Sequence, residues 1–414
     1  MLIRWPASLS LGGLKRSAST RGQYTPKPTS IDIGRSTASA VDTELMVTVG
    51  ILMLFGMVMV YSATIALPDS PRFAQYSPWH FLIRHVVAMV IALAAGFAVF
   101  CVPVQKWQKF AMPLFFLGLV LLTIVLIPGL GKSVYGARRW IPLGIMNLQP
   151  SELMKVFVLL YAADYVVRKQ EIMHRFVKGF LPLAVAMALV GGLLLLEPDL
   201  GAFIVMVTIA MGLLFIGGIN LMWFTGLIGS MGLVFSAIIY FSPWRRERMF
   251  AYLDPFDEQN ILGKGYQLAQ SLIAFGRGDF FGVGLGASIG KLHYLPEAHT
   301  DFLLAVIGEE LGLVAVVLVI FMFYKITRRA FEIGRQAIVV NSAFAGLLAM
   351  GVGMWIGFQA FLNIGVNLGL LPTKGLTLPL MSYGGSAILC NCLALGLLLR
   401  VDFENKQRMR GSKS

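Results

Sequence analysis

The sequence predicts an all-α polytopic integral membrane protein with ten transmembrane helices, and two observations carry this prediction. Of its 414 residues, 57% are hydrophobic and only 13% are charged, whereas soluble domains are about 25% charged. Uncharged stretches also recur along the chain, and most are close to the roughly 20 residues that cross a bilayer. This composition excludes a soluble enzyme, a disordered protein and a fibrous protein as descriptions of the whole chain.

The uncharged stretches place eight of the ten helices. Residues 200–244 contain no Asp, Glu, Lys or Arg, and a stretch of this length holds two spans that turn at Gly217–Asn220. Two further spans, near 150–167 and 302–324, are assigned although they contain charged side chains. The ten helices are expected near 45–65, 83–102, 110–128, 150–167, 179–196, 199–217, 221–241, 302–324, 342–362 and 384–400.

The distribution of Lys and Arg predicts that both termini are cytoplasmic, with one long extracytoplasmic loop at 242–300. With the N-terminus inside, the inner segments carry 21 of the 34 Lys and Arg residues, and the short outer segments carry five. Basic residues retain cytoplasmic loops beside anionic lipid, which accounts for the net charge of +13 without a nucleic-acid partner. Residues 1–44 are expected to be a disordered basic cytoplasmic tail, 45–400 the ten-helix domain and 401–414 a cytoplasmic tail.

Charged residues at membrane depth cost roughly 2.5–3.5 kcal/mol on insertion scales, so each one needs a reason. Glu152 and Lys155 lie three residues apart on a predicted helix, where they share a face and can form an ion pair. They are either a structural pair that fixes helix packing or the wall of a polar cavity that contacts a substrate. Arg138 and Arg139 precede this helix, and they either anchor the interface beside Trp140 or bind a phosphate or carboxylate.

A second polar cluster surrounds the start of the eighth predicted helix. Glu297, His299 and Asp301 supply three titratable groups at its outer mouth, and Glu309 and Glu310 lie about two turns deeper. Asp301 is either a helix cap or a catalytic base, and the spacing does not separate these alternatives.

Three other segments lie on the predicted outer side. In the turn at 197–201, helix capping is the simpler explanation for Pro198 and Asp199. Residues 371–386 contain Pro and Gly, which break a helix, and have Lys374 as their only charge. Because irregular backbone at membrane depth must be buried in protein or line a polar cavity, this segment is expected in one of those two places. Residues 265–275 have apolar side chains at helical spacing and are expected to form an interfacial helix. Because the strongest polar groups gather at the outer side, we expect a substrate with a lipid tail and a polar head.

Four motifs resemble the SEDS family (shape, elongation, division and sporulation), at 136–144 with 149–155, at 197–201, at 294–312 and at 371–386. The resemblance covers about residues 42–405. Ala298 and Gly308 resemble the division branch, since elongation relatives usually have Arg and Ala there. Many relatives have Gln where Glu197 stands. The resemblance implies a ten-helix fold in the bacterial inner membrane, and polymerisation of lipid II, the undecaprenyl-pyrophosphoryl disaccharide-pentapeptide, into glycan strands during septal cell-wall synthesis.

The resemblance also implies a set of site residues. It places the catalytic carboxylate on Asp301, which would accept a proton from the acceptor's 4-hydroxyl during inverting glycosyl transfer. A divalent cation, Mg²⁺ or Mn²⁺, is an alternative to basic side chains for stabilising the pyrophosphate leaving group, and no other cofactor is expected. The candidates for binding substrate and pyrophosphate are Arg138, Arg139, Lys374, Glu297 and His299, and those for polar support within the membrane are Glu152, Lys155, Glu309 and Glu310.

The partners implied by the resemblance are lipid II, a class B penicillin-binding transpeptidase, other membrane proteins of the division machinery and the lipid bilayer. The transpeptidase is expected on the eighth and ninth helices and on loop 242–300. The alternative function is a flippase that carries lipid II across the membrane without bond chemistry. A flippase should distribute its charges through the membrane depth, so the outer clustering favours the enzyme. A scaffold would need no intramembrane charges.

Overall fold

The computed structural model describes residues 41–411 except 72, 135–136, 143–146, 174 and 374. The predicted tail up to residue 40, and Lys374, therefore lie outside the described residues. The described part contains thirteen α-helices, which are α1 (Thr43–Thr64), α2 (His80–Cys101), α3 (Val104–Leu126), α4 (Pro150–Lys169), α5 (Leu181–Leu196), α6 (Leu200–Ile216), α7 (Leu221–Tyr240), α8 (Pro243–Leu253), α9 (Glu258–Ile261), α10 (Tyr266–Gly278), α11 (Leu303–Val339), α12 (Ala343–Asn367) and α13 (Gly385–Met409).

Within the described residues, seven helical segments are long and apolar enough to cross a membrane, namely α1, α2, α3, α11, α12, α13 and the segment Phe176–Leu196, in which a π-helical turn at Phe176–Phe180 precedes α5. The prediction of a helical, polytopic membrane protein is therefore confirmed. The other three predicted spans coincide with α4, α6 and α7. Of these, α4 contains five charged side chains, and α6 has only 17 residues. Ten membrane crossings therefore stay a prediction.

Two expectations are corrected. The chain is not purely α-helical, because β1 (Lys132–Val134), β2 (Ala137–Pro142) and β3 (Asn147–Leu148) form a small antiparallel sheet between α3 and α4. These strands are short, and they lack the apolar alternation that would have predicted them. The predicted tail from residue 401 instead continues α13 to Met409. Its charges are compatible with a helix because they pair at i,i+4, as in Asp402 and Lys406 (2.8 Å).

The predicted inner segments contact one another at one end of the bundle. Helix α11 has 37 residues and is interrupted at Gly312. The part after the interruption, residues 313–339, is about 40 Å long, which still exceeds the hydrocarbon core of about 30 Å. Its far half carries Arg329, which forms an ion pair with Asp42 before α1. Nearby, Asn405 of α13 donates to the carbonyl of Ile333 in α11 (3.0 Å). Ion pairs and side-chain amides thus join the helices at this end.

Helix α12 lies at the centre of the bundle, where it contacts α4, α6, α11 and α13. Its Trp355 is fully buried. Helices α2 and α13 cross closely at Gly96 and Gly396, since a Cβ on Gly396 would lie 2.3 Å from the Gly96 carbonyl oxygen. Small residues permit such close backbone approach in membranes. The central position of α12 brings its polar side chains to the site described next.

Candidate active site

Segments that are distant in sequence meet at the other end of the bundle, and we call this meeting point the junction. Its members are strands β2 and β3, the start of α4, the α5–α6 turn, the segment before α11 and the loop before α13. The Ser151 hydroxyl at the start of α4 donates to Asp199 in the α5–α6 turn (2.8 Å). The backbone N–H of Tyr383, in the loop before α13, donates to the carbonyl of His299 (2.9 Å). The hydroxyl of Ser386 donates to a carbonyl of β3 (2.8 Å). Every segment in this junction belongs to the predicted outer side.

The side chain of Asp301 is half-buried in this junction. The N-cap residue of α11 is Phe302, and no side chain caps the helix, so the helix-cap alternative for Asp301 is wrong. A Cβ on Gly375 would lie 3.3 Å from Asp301 Oδ2, which places the carboxylate directly over that glycine. Within the described part of the chain, no hydrogen bond is made to the carboxylate, which is therefore available to accept a proton.

Desolvation raises the pKa of the Asp301 carboxyl to about 7, and repulsion from the Glu297 carboxylate adds to that rise. The guanidinium of Arg139 lowers the pKa, and the carboxylate of Asp199 raises it. Asp301 is therefore a base whose ionisation falls near neutral pH, which is the range expected of a general base. The charged groups among these influences come from three separate segments of the junction.

The two arginines of β2 point in different directions, as consecutive residues of a strand do. Arg138 is exposed. Arg139 is half-buried, and its guanidinium donates to the carbonyls of Glu197 (2.9 Å) and Pro198 (2.5 Å). The structure thus brings Arg139, but not Arg138, into the junction beside Asp301.

The α5–α6 turn holds a second unusual carboxyl group. Glu197 is fully buried, and neither of its carboxyl oxygens has a hydrogen-bond partner among the described residues. Desolvation raises the pKa of Glu197 to about 8; the neighbouring Asp199 raises it and Arg139 lowers it. Asp199 caps α6 by accepting from the N–H of Ala202 (3.2 Å), so the capping prediction is confirmed.

His299 and Glu297 form one wall of the junction. The ring of His299 lies 5.5 Å from the ring of Tyr383 and 6.1 Å from that of Phe81 in α2. Desolvation lowers the pKa of His299, while the nearby Glu297 carboxylate opposes that shift. The carboxylate of Glu297 accepts from the hydroxyl of Thr300 (2.7 Å). Both residues lie beside Asp301, as the sequence predicts.

Glu152 and Lys155 form the ion pair predicted from their spacing, with an N–O distance of 2.8 Å. Lys155 is fully buried, and its ammonium also donates to Gln359 of α12 (2.9 Å). The Gln359 side chain donates in turn to the carbonyl of Thr377 in the loop before α13 (3.0 Å). The ion pair therefore supports that loop through Gln359, and it does not contact Asp301 directly.

Glu309 and Glu310 hold the long loop against the bundle. Helix α11 is interrupted at Gly312, where φ is 72°. The carbonyls that this break frees at Glu309 and Glu310 accept backbone N–H groups from residues 283 and 284 (3.0 Å each). The Glu309 carboxylate pairs with Arg277 of α10 (2.5 Å), and the Glu310 carboxylate pairs with Lys291 (2.9 Å).

The sequence analysis missed several polar residues that build this end of the bundle. Ser62 of α1 donates to Glu310 (2.7 Å) and accepts from Lys291 (3.0 Å). The larger omission is a row of side-chain amides on α12, and the four-residue spacing of Gln359, Asn363 and Asn367 in a charge-free span was an available signal. Helix α10 coincides with the predicted helix at 265–275, and it packs on α11.

Comparison with known proteins identifies the class to which this fold and site belong. The family FTSW_RODA_SPOVE, described as "Cell cycle protein", matches residues 42–407. This chain belongs to that family. It is 63% identical over 369 residues to a protein of Burkholderia thailandensis named "Probable peptidoglycan glycosyltransferase FtsW", covering 89% of this chain and 80% of the relative. A relative of the same name from Polynucleobacter necessarius is 57% identical over 380 residues, covering 92% of this chain and 90% of the relative.

Solved structures support the same assignment. A chain from a structure described as "Structural coordination of polymerization and crosslinking by a peptidoglycan synthase complex" is 29% identical and superposes with a TM-score of 0.72, covering 89% of this chain and all of that chain. The rod shape determining protein RodA of Thermus thermophilus is 28% identical with a TM-score of 0.63, covering 89% of this chain and 98% of RodA. The fold of this chain is therefore similar to that of a chain in a peptidoglycan synthase complex and to that of RodA.

Proposed function

We propose that this protein is a peptidoglycan glycosyltransferase of the FtsW type that polymerises lipid II into glycan strands during bacterial cell division. The FtsW relatives that cover most of the chain carry the assignment to this enzyme class. The observation that carries the chemistry is the carboxylate of Asp301, half-buried at a polar junction, without a hydrogen-bond partner among the described residues and with a pKa of about 7.

In the proposed reaction, the 4-hydroxyl of the acceptor sugar gives its proton to the Asp301 carboxylate. The hydroxyl oxygen attacks the anomeric carbon of the donor sugar from the face opposite to the pyrophosphate. The bond between that carbon and the pyrophosphate oxygen breaks, and lipid pyrophosphate leaves with the electron pair. The new glycosidic bond has inverted configuration, and the proton on Asp301 is released to solvent.

The leaving pyrophosphate needs positive charge near it. Among the described residues, Arg139 supplies a positive charge within the junction. Its guanidinium is already oriented by hydrogen bonds to the carbonyls of Glu197 and Pro198. Lys374 stays a second candidate from the sequence. Among the described residues, no three His, Cys, Asp or Glu side chains are grouped to hold a metal ion. Mg²⁺ or Mn²⁺ usually binds through one or two carboxylates together with substrate phosphates, so a divalent cation stays the alternative to these basic side chains.

We further propose ten membrane crossings, cytoplasmic termini and a location in the inner membrane at the division septum. The Lys and Arg bias supports this orientation. So does the gathering of the predicted outer segments at one end of the bundle. We also propose a class B transpeptidase as partner on α11, α12 and the loop at 242–300, because one solved relative comes from a peptidoglycan synthase complex.

The test of the proposed function is polymerisation of lipid II by purified protein, with and without the transpeptidase, followed by sizing of the glycan product. Asp301→Asn keeps the shape of the side chain and removes its basicity, so the rate should fall by about 10²-fold or more. Asp301→Glu should rescue poorly, since one methylene moves the carboxylate by about 1 Å. The matched control is Asp69→Asn, in the exposed connection between α1 and α2, which should retain the wild-type rate.

Two results would contradict the proposal in different ways. A near wild-type rate for Asp301→Asn would move the search for a base to Glu297, His299 and Glu309. Transport of labelled lipid II across vesicles by a wild-type protein that makes no polymer would instead identify a flippase.

A further inference from the structure

Helix α12 carries three side-chain amides at four-residue intervals, Gln359, Asn363 and Asn367. This spacing places them on one face of the helix. All three are at most 2% exposed. Buried amides are costly unless their hydrogen bonds are satisfied, and here the amide face is turned toward the candidate active site.

Asn363 occupies the middle of this row and joins two parts of the junction. Its Nδ2 donates to the carbonyl of Asp301 (2.8 Å) and to the carbonyl of Leu376 (2.6 Å). A side-chain amide nitrogen has two hydrogens to donate, so both are used to join the segment before α11 to the loop before α13. Leu376 follows Gly375, the residue over which the Asp301 carboxylate lies.

We propose that Asn363 is a positioning residue for glycosyl transfer, because it clamps the backbone of Asp301 to the loop at Leu376 and thereby fixes the carboxylate over Gly375. This inference rests on the proposed function of Asp301 as the base. Asn363 contributes no group to the reaction itself and acts through Asp301.

Asn367 has a different role from Asn363. It also donates to the Asp301 carbonyl (2.9 Å), and its Oδ1 accepts from the backbone N–H of Ala305 (3.2 Å). These bonds hold the start of α11 to α12. No hydrogen bond of Asn367 reaches the loop at Leu376 within the described residues, so of these two side chains Asn363 is the one that joins the Asp301 carbonyl to the loop at Leu376. The far end of the loop is held separately, by the N–H of Tyr383 on the His299 carbonyl.

Loss of the clamp has a predictable chemical signature. The charged groups that act on Asp301 are Glu297 on its own segment, Arg139 from β2 and Asp199 from the start of α6. When the segment and the loop separate, water reaches the carboxylate and favours its ionised form. The acid limb of the pH–rate profile then moves to lower pH, while the maximal rate falls because the near-attack geometry is lost.

The experiment measures lipid II polymerisation by the full-length protein over a range of pH. Asn363→Ala should lower the maximal rate by about 10-fold to 100-fold, leave KM for lipid II within about twofold, and shift the acid limb to lower pH. The matched control is Asn405→Ala at the other end of the bundle. Asn405 is equally buried and donates to one backbone carbonyl, that of Ile333. It should lose thermal stability while keeping the wild-type rate and acid limb.

A second variant covers the case in which Asn363→Ala does not fold. Gly375→Ala adds a methyl group 3.3 Å from Asp301 Oδ2, which displaces the carboxylate by a few tenths of an ångström without altering α12. It should also reduce the maximal rate. The proposal is overturned if Asn363→Ala folds and matches Asn405→Ala in rate and acid limb, or if Gly375→Ala, tested alone, has the wild-type rate. A wild-type protein that makes no polymer overturns the proposed function instead.

Discussion

Raising the pH from 6 to 8 should increase the rate of lipid II polymerisation about tenfold, because the base is a carboxylate that ionises near pH 7. With a pKa of about 7, the ionised fraction of Asp301 is about 9% at pH 6 and about 91% at pH 8. A carboxyl with the ordinary aspartate pKa of 3.8 would be more than about 99% ionised throughout this range. The profile therefore separates a desolvated base from a solvated one.

The perturbation that tests the cause of this profile is Arg139→Gln. Arg139 lowers the pKa of Asp301, so its removal raises the pKa and moves the acid limb of the profile to higher pH. Arg138→Gln is the matched control, because Arg138 precedes Arg139 on β2 but its side chain is exposed. Its acid limb should stay at the wild-type position.

The assay is the initial rate of glycan synthesis from labelled lipid II in one detergent at constant ionic strength, because salt screens the Arg139–Asp301 attraction. Lipid II binding is measured separately at each pH, so that the rate is compared at saturation. A flat wild-type profile between pH 6 and pH 8 would refute the assignment of Asp301 as a base with a raised pKa. An acid limb that moves down in Arg139→Gln would refute the role of Arg139.

Two further predictions concern the support of the site and the partner. Glu152→Ala and Lys155→Ala should each impair polymerisation and folding, since breaking a buried pair costs about 3–5 kcal/mol. In thermal unfolding and in polymerisation rate, the double variant should lose less than the sum of the two single losses. Additive losses would mean that the two residues act separately. A photo-crosslinking residue at Phe281, which is 84% exposed in the long loop, should capture the transpeptidase in active complexes. The control is a photo-crosslinking residue at Phe97 of α2, which is 68% exposed and should not capture it. Failure to crosslink at Phe281 would argue against docking on this loop.

The sequence predicted the charged parts of the site because charges in an apolar chain need a partner or a task. Glu152 and Lys155 were placed correctly by helical spacing alone, and the ion pair has an N–O distance of 2.8 Å. The sequence did not decide whether Asp301 is a helix cap or a catalytic base. Only the structure separates them, because it shows that the carboxylate does not turn back onto α11.

The residues that the sequence did not reveal are uncharged or locally ambiguous. Asn363 interrupts an apolar span without a charge, and its importance depends on which carbonyls lie opposite, which a single sequence does not show. The tenth helix was predicted to end near residue 400, yet α13 continues to Met409, and Arg400 pairs with Glu404 (2.7 Å) on it. Strand β2 escaped prediction because its six residues contain two Arg and a Pro, a composition that is also typical of a loop.

In the junction, the backbone of Asp301 is anchored by hydrogen bonds that do not involve its carboxylate, which is the group proposed to accept the proton. The backbone carbonyl of Asp301 accepts two amide donors, from Asn363 and Asn367. Each such bond contributes about 1 kcal/mol of net stability, and together they fix the segment at the mouth of α11. The carboxylate takes no part in this anchoring, so it can gain and lose a proton without breaking a bond that the fold needs. A base that was also a helix cap would lose its cap each time it was protonated, and the structure avoids that conflict by assigning the anchoring to α12.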